Sequence, residues 1–438
     1  MKSTTIDEIE SYFVKFPDVP KEVILKEDLL RMGLRFSKAA LEAAEGCRYK
    51  SYRLFTYDKV RHEDTGLEIL KAPEDLQLRG GPYNLRRIIV SVRLSNESPY
   101  LVDIVDNKPK VVVDNEPIAE VKYPIKPDYY SKAFNNGTMY SEVGPLTTGG
   151  QKVFFTVYRV CQFWGDKEEC KFCDINKNVR QARRYGKAYV ESKTYKNVEQ
   201  VAEVAAEIFL REKNFGDIRP IGYTISGGAI TGSVAGMNED DFYLQYVTAV
   251  KDKIGDRWPC ALQTVAKDKE TYKRYKAAGV DCVDANIEVW DKNLFKVICP
   301  GKEKYVGWDE WIKRVIDSVD IFGEGNVCPN LLPGLEMAQP YGFKDINAAI
   351  KSMEGGLEYL MARGVTVRLN QWNISPFSAL AGNPLLPLEY FIRLDQAWCD
   401  IWTKYNLPLP RALGQIGPGA ASWFNSAMLD MDPGSCTN

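Results

Sequence analysis

The amino-acid sequence predicts an α/β fold in which helices cover a parallel sheet, with a smaller α+β region before it. Two observations carry this prediction. From residue 153 onward, continuous apolar segments alternate with polar loops and amphipathic helical segments through six rounds, which is the pattern of a parallel sheet buried on both faces. Before residue 150, helical spacing gives way to short strand-like segments separated by Asp, Asn, Lys and Pro, which is typical of an antiparallel meander.

The first region is expected to form an accessory α+β domain over residues 1–150. Its helical segments are residues 6–14, 22–32 and 36–44, and its strand-like segments are residues 88–92, 100–105, 111–113 and 118–121. Residues 126–151 contain the turn-forming pairs Asn136-Gly137 and Gly149-Gly150. We expect this loop-rich segment to cover another part of the protein.

The second region, residues 151–384, is expected to contain the parallel sheet. Its predicted strands are residues 154–160, 221–226, 260–266, 282–289, 326–332 and 365–371, and its helices include residues 198–211, 240–254, 269–278, 308–321 and 346–363. Residues 385–438 form a C-terminal extension with one predicted helix, residues 388–405, before a Gly-rich end. Functional residues in such units usually lie at the carboxyl ends of the strands.

Composition excludes several classes of protein. The chain has 438 residues, 45% of them hydrophobic, so it can bury a large core and is not disordered. The 57 basic and 59 acidic residues give a net charge of -2, so no overall field attracts nucleic acid or an anionic membrane. We therefore expect neither as a partner. No signal peptide and no run of about 18 apolar residues is visible, which favours a cytoplasmic protein.

Histidine and cysteine content narrows the chemistry further. The sequence contains one histidine, His62, so Ser-His-Asp, Cys-His and multi-histidine zinc chemistry are poorly supported. The ten cysteines are irregularly spaced, unlike the dense even pattern of a secreted disulfide scaffold. A reducing environment suits them better.

Three cysteines follow the first predicted strand in a C-x8-C-x2-C arrangement, namely Cys161, Cys170 and Cys173. The next cysteine along the chain is Cys260, so a structural zinc site, which uses four ligands, would have to be completed in space. An iron-sulfur cluster held by three thiolates would leave one iron open to another ligand. Incidental cysteines are the remaining alternative.

This cysteine loop resembles that of the radical S-adenosylmethionine superfamily, and the resemblance extends over residues 153–372. The resemblance implies a partial (β/α)6 TIM-like barrel in which Cys161, Cys170 and Cys173 hold a [4Fe-4S] cluster whose open iron binds S-adenosylmethionine. Phe172 matches the aromatic residue that lies against the adenine in that family. The spacing of eight residues after the first cysteine, where three are usual, is a departure that leaves the subfamily undetermined.

The resemblance also implies cofactor contacts at the ends of later strands. Thr224-Ile-Ser226-Gly227-Gly228-Ala229 stands where the family has a Gly-Gly-Glu segment that receives the methionine amine, and glycines allow such close backbone approach. Further candidates are Gln263 and Thr264 for the methionine carboxylate, Asn286 and Glu288 for the ribose, and Leu332 for the adenine. A satisfied core polar group is an equal alternative for the four polar residues, and ordinary core packing is an equal alternative for Leu332.

A basic run follows the cluster motif. Arg180, Arg183, Arg184 and Lys187 are interpreted first as a solvated basic face and second as a clamp for a carboxylate or phosphate.

The overall organisation is similar to radical S-adenosylmethionine enzymes that bind cobalamin without a histidine ligand and methylate an unactivated carbon. That resemblance implies a C-methyltransferase, with a glutamine of methyl-coenzyme M reductase as the candidate target. The tail aromatics, Trp398, Trp402, Trp423 and Phe424, would then be cofactor-wall candidates, with packing as the alternative. The other hypothesis is a cobalamin-free mutase, lyase or oxidoreductase with a small-molecule substrate. Both need an external electron donor such as ferredoxin or flavodoxin, whereas a cluster-bearing scaffold or electron carrier would be no enzyme at all.

Overall fold

The computed structural model describes residues 6–49, 72–182, 194–216 and 218–412. His62, Arg183, Arg184, Lys187, Trp423 and Phe424 lie outside these residues. Among the helices that the described ranges contain, none has the length and apolarity needed to cross a membrane.

The N-terminal region is an α+β unit, as the sequence predicts. Its helices are α1 (Ile6–Lys15), α2 (Lys21–Met32) and α3 (Lys38–Ala43), and its strands are β1 (Arg35–Phe36), β2 (Asp75–Gly80), β3 (Leu85–Ser91), β4 (Leu101–Val105), β5 (Lys108–Val113) and β6 (Glu116–Lys122). Within the described residues these six strands form one sheet in the order β1-β4-β5-β6-β2-β3. All neighbours are antiparallel except β1 and β4. The sequence analysis missed β2, which has only two apolar residues, Leu76 and Leu78, to mark it.

Local sequence explains the meander. The turns after β4 and β5 contain Asp106-Asn107 and Asp114-Asn115, whose φ angles are 53°, 60°, 50° and 67°. Asn and Asp tolerate this left-handed conformation, which tight hairpin turns require. Helix α2 then packs on the sheet, and Val23, Ile24 and Leu25 are buried in the core that the helix and the sheet share.

The second region is the predicted alternation of strands and helices. The strands are β7 (Leu146–Thr147), β8 (Lys152–Tyr158), β9 (Gly222–Gly227), β10 (Cys260–Leu262), β11 (Cys282–Val283), β12 (Asn330–Leu331) and β13 (Arg368–Leu369). The helices are α4 (Tyr140–Val143), α5 (Ile175–Ala182), α6 (Val198–Ala206, continued by a π turn at Glu207–Arg211), α7 (Glu239–Ile254), α8 (Lys269–Ala277), α9 (Lys292–Ile298), α10 (Pro300–Tyr305), α11 (Trp308–Asp317), α12 (Val319–Phe322), α13 (Ile346–Met361) and α14 (Leu388–Tyr405). Short 3-10 turns lie at Asp128–Ser131, Thr148–Gly150 and Leu335–Met337.

Parallel pairing runs through this region in chain order. Strands β8 to β11 pair side by side in parallel, with β7 antiparallel at the edge beside β8, and β12 pairs with β13 in parallel. Two isolated parallel bridges, Val283 with Val327 and Glu288 with Leu331, connect these two groups. The parallel α/β arrangement is therefore confirmed, while closure into a partial (β/α)6 barrel stays a prediction.

Helix α14 joins the two regions. Leu388 and Ile392 are buried in the N-terminal core, whereas Leu394 and Trp398 are buried in the core of the parallel region. Trp398 stacks on Trp402 with ring centroids 5.0 Å apart, and its Nε1 donates a hydrogen bond of 2.7 Å to the carbonyl of Val367. These two tryptophans therefore pack inside the protein, which was the alternative to a cofactor wall.

Candidate functional site

The parallel region encloses a cavity of about 320 Å³. This volume falls in the range of about 300–1,000 Å³ that small-molecule sites occupy. The cavity is lined by eleven of the twelve predicted site residues: Cys161, Cys170, Phe172, Cys173, Gly227, Gly228, Gln263, Thr264, Asn286, Glu288 and Leu332. The twelfth, Ser226, is fully buried behind the wall.

The loop that carries the three cysteines is held by side-chain amides. The Cys161 backbone N–H donates to Asn176 Oδ1 at 2.9 Å, and Asn176 Nδ2 donates to the Phe163 carbonyl at 2.8 Å. The Cys173 N–H donates to the Cys170 carbonyl at 3.0 Å, which closes a tight turn. The buried Asn176 thus fixes the first cysteine from the helix that follows the loop.

A second amide ties the cysteine loop to the chain beyond β9. Gln162 Oε1 accepts hydrogen bonds from the N–H groups of Thr231 at 2.9 Å and Gly232 at 2.7 Å. The Gln162 N–H donates to the carbonyl of Ala229 at 2.8 Å. The loop after β8 and the loop after β9 therefore form one wall of the cavity.

Gly228 is required by strand packing. A β-carbon at this position would lie 1.9 Å from the Val160 carbonyl oxygen and 2.6 Å from the Cys161 Cα atom, so any side chain would force the two strand ends apart. The Gly228 carbonyl accepts a hydrogen bond of 2.7 Å from the Tyr243 hydroxyl. Its second lone pair is what remains for a ligand amine.

The three thiols differ in their electrostatics. Burial raises the pKa of Cys161 to about 12, and burial with the nearby Asp174 carboxylate raises that of Cys173 well above its usual value. A hydrogen bond from the Cys299 thiol lowers the pKa of Cys170. Because metals bind the thiolate form, a metal or cluster must displace protons from Cys161 and Cys173.

Cys299 is a neighbour that the sequence analysis missed. It is fully buried at the end of α9 and contacts Cys170 from outside the cavity wall. Just beyond it, a β-carbon on Gly301 would lie 2.5 Å from the Glu168 carbonyl oxygen. The sequence Cys299-Pro300-Gly301 could have indicated the start of a helix, since proline favours the first turn of a helix. Its contact with the cysteine loop could not be predicted, because the two segments are far apart along the chain.

The arrangement fits a cluster better than a single ion. In the described part of the chain, no three His, Cys, Asp or Glu side chains converge closely enough to hold one metal ion, whereas a tetrahedral structural zinc needs four such ligands, with Zn–S bonds of about 2.3 Å. In a [4Fe-4S] cluster each thiolate binds a different iron, so the sulfurs surround a larger volume. Cys161, Cys170 and Cys173 open onto one cavity of about 320 Å³, which meets that requirement.

Polar residues at the ends of the next strands are already partly engaged. Ser226 Oγ lies 2.6 Å from Gln263 Oε1 and donates to it, so Ser226 orients Gln263 from behind. The Thr264 hydroxyl donates to the Val265 carbonyl at 3.1 Å. Gln263, whose side-chain oxygen Ser226 engages, lines the cavity.

Glu288 is paired and conformationally strained. Its Oε1 accepts a hydrogen bond of 2.8 Å from Lys302 Nζ, and its φ of 72° is in the left-handed region, which is uncommon for such a residue and is often found at functional sites. Burial lowers the pKa of Lys302, but the Glu288 carboxylate together with the Cys299 and Cys170 thiols outweighs burial, and the net pKa is raised. Asn286 Oδ1 accepts from the Asn330 N–H at 3.1 Å, so this amide also holds two strands together.

Phe172 and Leu332 line the cavity and pack against its apolar surroundings. Arg180 instead pairs with Glu169, with Nη1 3.1 Å from Oε2, and its guanidinium lies 4.7 Å from the Trp164 ring centre. Arg180, which is the residue of the basic run that the structure describes, therefore stabilises the cysteine loop.

Besides Thr147, five further polar residues that the sequence analysis did not select line the cavity. They are Lys152, Asp284, Asn330, Arg368 and Asn370, called here the polar floor. A signal for some of them was present, because Asp284-Ala-Asn286-Ile-Glu288 alternates polar and apolar residues, and alternate residues of a strand share a face.

Comparisons with known proteins give distant likenesses. No family model matches the sequence. The chain is 25% identical over 140 residues to bacteriochlorophyllide c C-7(1)-hydroxylase of Chlorobaculum limnaeum, and the match covers 32% of this chain and 32% of the hydroxylase. It thus spans about a third of the length of the curated relative it matches.

Two solved structures are similar in part. HydG, a maturase of the [FeFe]-hydrogenase, aligns with a TM-score of 0.38 and 13% identity over 60% of this chain and 52% of HydG. A radical SAM methyltransferase from Sphaerobacter thermophilus aligns with a TM-score of 0.38 and 10% identity over 97% of this chain and 98% of that protein. Because these scores are low, the functional interpretation rests on the geometry of the cavity.

Proposed function

We propose that this chain is a radical S-adenosylmethionine enzyme in which Cys161, Cys170 and Cys173 hold a [4Fe-4S] cluster and the cavity binds S-adenosylmethionine. One observation carries the proposal: three thiols from a single loop line the same cavity as the glycine pair Gly227-Gly228 and the polar ends of the neighbouring strands. An electron carrier would need the thiols but not an adjoining polar cavity.

The cofactors supply the radical chemistry and the chain supplies the environment. A [4Fe-4S] cluster held by Cys161, Cys170 and Cys173, with S-adenosylmethionine in the cavity, would supply one-electron reductive cleavage and hydrogen-atom abstraction. The chain's own residues hold and orient these reactants. Gly228 sets the distance between the loops after β8 and β9, Ser226 orients Gln263, and Lys302 holds the Glu288 carboxylate at the rim. An external electron donor such as ferredoxin or flavodoxin belongs to the proposal.

Two finer hypotheses remain within this class. A cobalamin-free mutase, lyase or oxidoreductase of a small molecule is supported by the charged polar floor, because a few polar groups in a cavity of this size suit a small polar substrate. A cobalamin-dependent C-methyltransferase, with a glutamine of methyl-coenzyme M reductase as candidate target, is the second. Its support is the length of chain outside the parallel region. Absorbance and cobalamin binding of the anaerobic protein separate the two.

The test of the common proposal is iron analysis of anaerobically reconstituted protein. We expect about four irons per chain, lost when Cys161, Cys170 and Cys173 are changed together to alanine. Cys299→Ala tests the neighbouring thiol and Cys399→Ala, on α14, is the matched control; both should retain iron. With dithionite, the loaded protein should release 5'-deoxyadenosine.

The result that would overturn the proposal is specific. Iron that persists in the triple variant, or zinc in place of iron with loss in Cys299→Ala, would assign the loop to a different metal site. A fully loaded cluster that never cleaves S-adenosylmethionine would leave a cluster protein without this activity.

A further inference from the structure

Three residues of the polar floor, Lys152, Asn330 and Arg368, are the first residues of β8, β12 and β13. Two residues before Asp284 and Asn330 stand Cys282 and Cys328, which form a buried apolar cluster with Ala261 and Ala412. Because residues two apart on a strand share a face, this cluster lies one layer below the floor and closes the cavity there. A ligand that reaches the floor must therefore come from the side of the cysteine loop.

Lys152 carries a buried charge without a hydrogen-bonding partner. The residue is 3% exposed, and among the described residues its Nζ has no hydrogen-bond partner. The Nζ atom lies 6.0 Å from the centre of the Phe154 ring. A buried ammonium without partners is costly, so such a group is expected to meet a counter-charge in the working protein.

The neighbouring ion pair does not supply that partner. Arg368 Nη2 lies 3.0 Å from Asp284 Oδ2, and Arg368 Nε donates to the Cys328 carbonyl at 2.8 Å. The floor thus holds two cationic side chains and one carboxylate. One positive charge is in excess.

Three acceptors on the floor are open as well. Asp284 Oδ1, Asn330 Oδ1 and Asn370 Oδ1 are buried and have no hydrogen-bond partner in the described residues. A ligand with only a carboxylate would pair with Lys152 but would give these acceptors no hydrogen-bond donor. A ligand with only an amine would donate to the acceptors but would leave Lys152 without a counter-charge. Water could satisfy the hydrogen bonds but not the excess charge.

We propose that the polar floor binds the headgroup of a free α-amino acid, with the carboxylate at Lys152 and the ammonium at Asp284, Asn330 and Asn370. This inference rests on the proposed function and deepens it, because it names the substrate class of the same cavity and favours the small-molecule hypothesis. Burial lowers the pKa of Lys152 to about 8, with Asp284 opposing. A bound carboxylate would restore full protonation.

The experiment is calorimetric binding of the twenty common L-amino acids, each at millimolar supply, to the cluster-loaded protein and to the triple cysteine-to-alanine protein. At least one amino acid should bind both forms, because the floor contains none of the cluster ligands. If the cluster does not form or S-adenosylmethionine is not cleaved, amino-acid binding should still be observed. The experiment therefore distinguishes failure of this inference from failure of the proposed function.

Variants and analogues sharpen the result. Lys152→Met and Asp284→Asn should each weaken that binding by at least about tenfold, a free-energy change of about 1.4 kcal/mol. Lys253→Met, an exposed lysine on α7, should leave it unchanged. Analogues of the bound amino acid that lack the amine or the carboxylate should lose a similar factor, a readout that does not depend on the variants folding.

Two outcomes overturn the inference. One is that no amino acid binds, which means that water alone fills the floor. The other is that Lys152→Met weakens the binding of S-adenosylmethionine but of no free amino acid, which would assign the floor to the cofactor.

Discussion

Arg48 in the N-terminal region and Lys152 in the parallel region are equally buried cations, each 3% exposed. Their surroundings differ. Arg48 Nη2 lies 2.6 Å from Asp75 Oδ2, and Arg48 Nε lies 3.9 Å from Glu74 Oε2. Lys152 lines the cavity, and its buried Nζ has no hydrogen-bond partner among the described residues.

The two pKa values move in opposite directions for this reason. Burial lowers the pKa of Arg48, but Asp75, Tyr130 and Glu74 together outweigh burial, and the net pKa is raised. For Lys152 burial dominates, and the pKa falls to about 8. A buried cation with its own carboxylates stabilises the fold, whereas one that faces a cavity without them is available to a ligand.

The largest effect is expected from Arg48→Met. Removing the arginine leaves Asp75 buried without its cation, which should lower the free energy of unfolding by about 3–5 kcal/mol. Urea unfolding followed by circular dichroism measures it. A loss below about 1 kcal/mol would show that Arg48 is no more structural than a surface ion pair, and the contrast with Lys152 would disappear.

A smaller loss is expected from Asp284→Asn. The amide keeps the shape but removes the counter-charge of Arg368, and hydrogen bonds to charged groups contribute about 1.5–3 kcal/mol. We expect a loss of about 2 kcal/mol in the same unfolding measurement. Asn330→Asp is the opposite change on the same floor and should offset the excess positive charge; equal losses for both variants would indicate a packing effect rather than an electrostatic one.

Lys152→Met should stabilise the protein at pH 7. A pKa lowered from 10.5 to about 8 corresponds to at most about 3 kcal/mol, of which we expect about 1–2 kcal/mol because the cavity admits water. Between these two pH values the unfolded chain holds a proton that the folded chain has released, so wild-type stability rises with pH.

Unfolding measurements at pH 7 and pH 10 test this direction of the pH dependence. The advantage of Lys152→Met over the wild type should be largest at pH 7 and small at pH 10. An advantage that does not change with pH would mean that the methionine gains by packing, and the lysine would carry no electrostatic cost.

The smallest effect is expected from Lys253→Met, where the lysine is exposed on α7. The free energy of unfolding should change by less than about 0.5 kcal/mol at either pH. A larger change would indicate that a Lys-to-Met substitution alters the free energy of unfolding even at an exposed position. The change measured for Lys152→Met would then have to be corrected by that amount.

Sequence reasoning succeeded where the signal is local or periodic. The order of strands and helices follows from apolar periodicity, and the cysteine loop from its position after β8. Cys299 could not be placed beside Cys170, because that contact depends on how α9 folds back over the loop. Lys152 was missed because one lysine at the start of an apolar strand looks like a strand end facing solvent.

Helix α14 has a consequence for how the protein unfolds. Leu388 and Ile392 belong to the N-terminal core, and Trp398 belongs to the core of the parallel region. A single helix of 18 residues therefore contributes to both cores. Neither core can lose its structure without exposing apolar residues of that helix. Heat or urea should therefore melt the antiparallel sheet and the cavity in a single cooperative transition, so that the N-terminal region stabilises the region that contains the cavity.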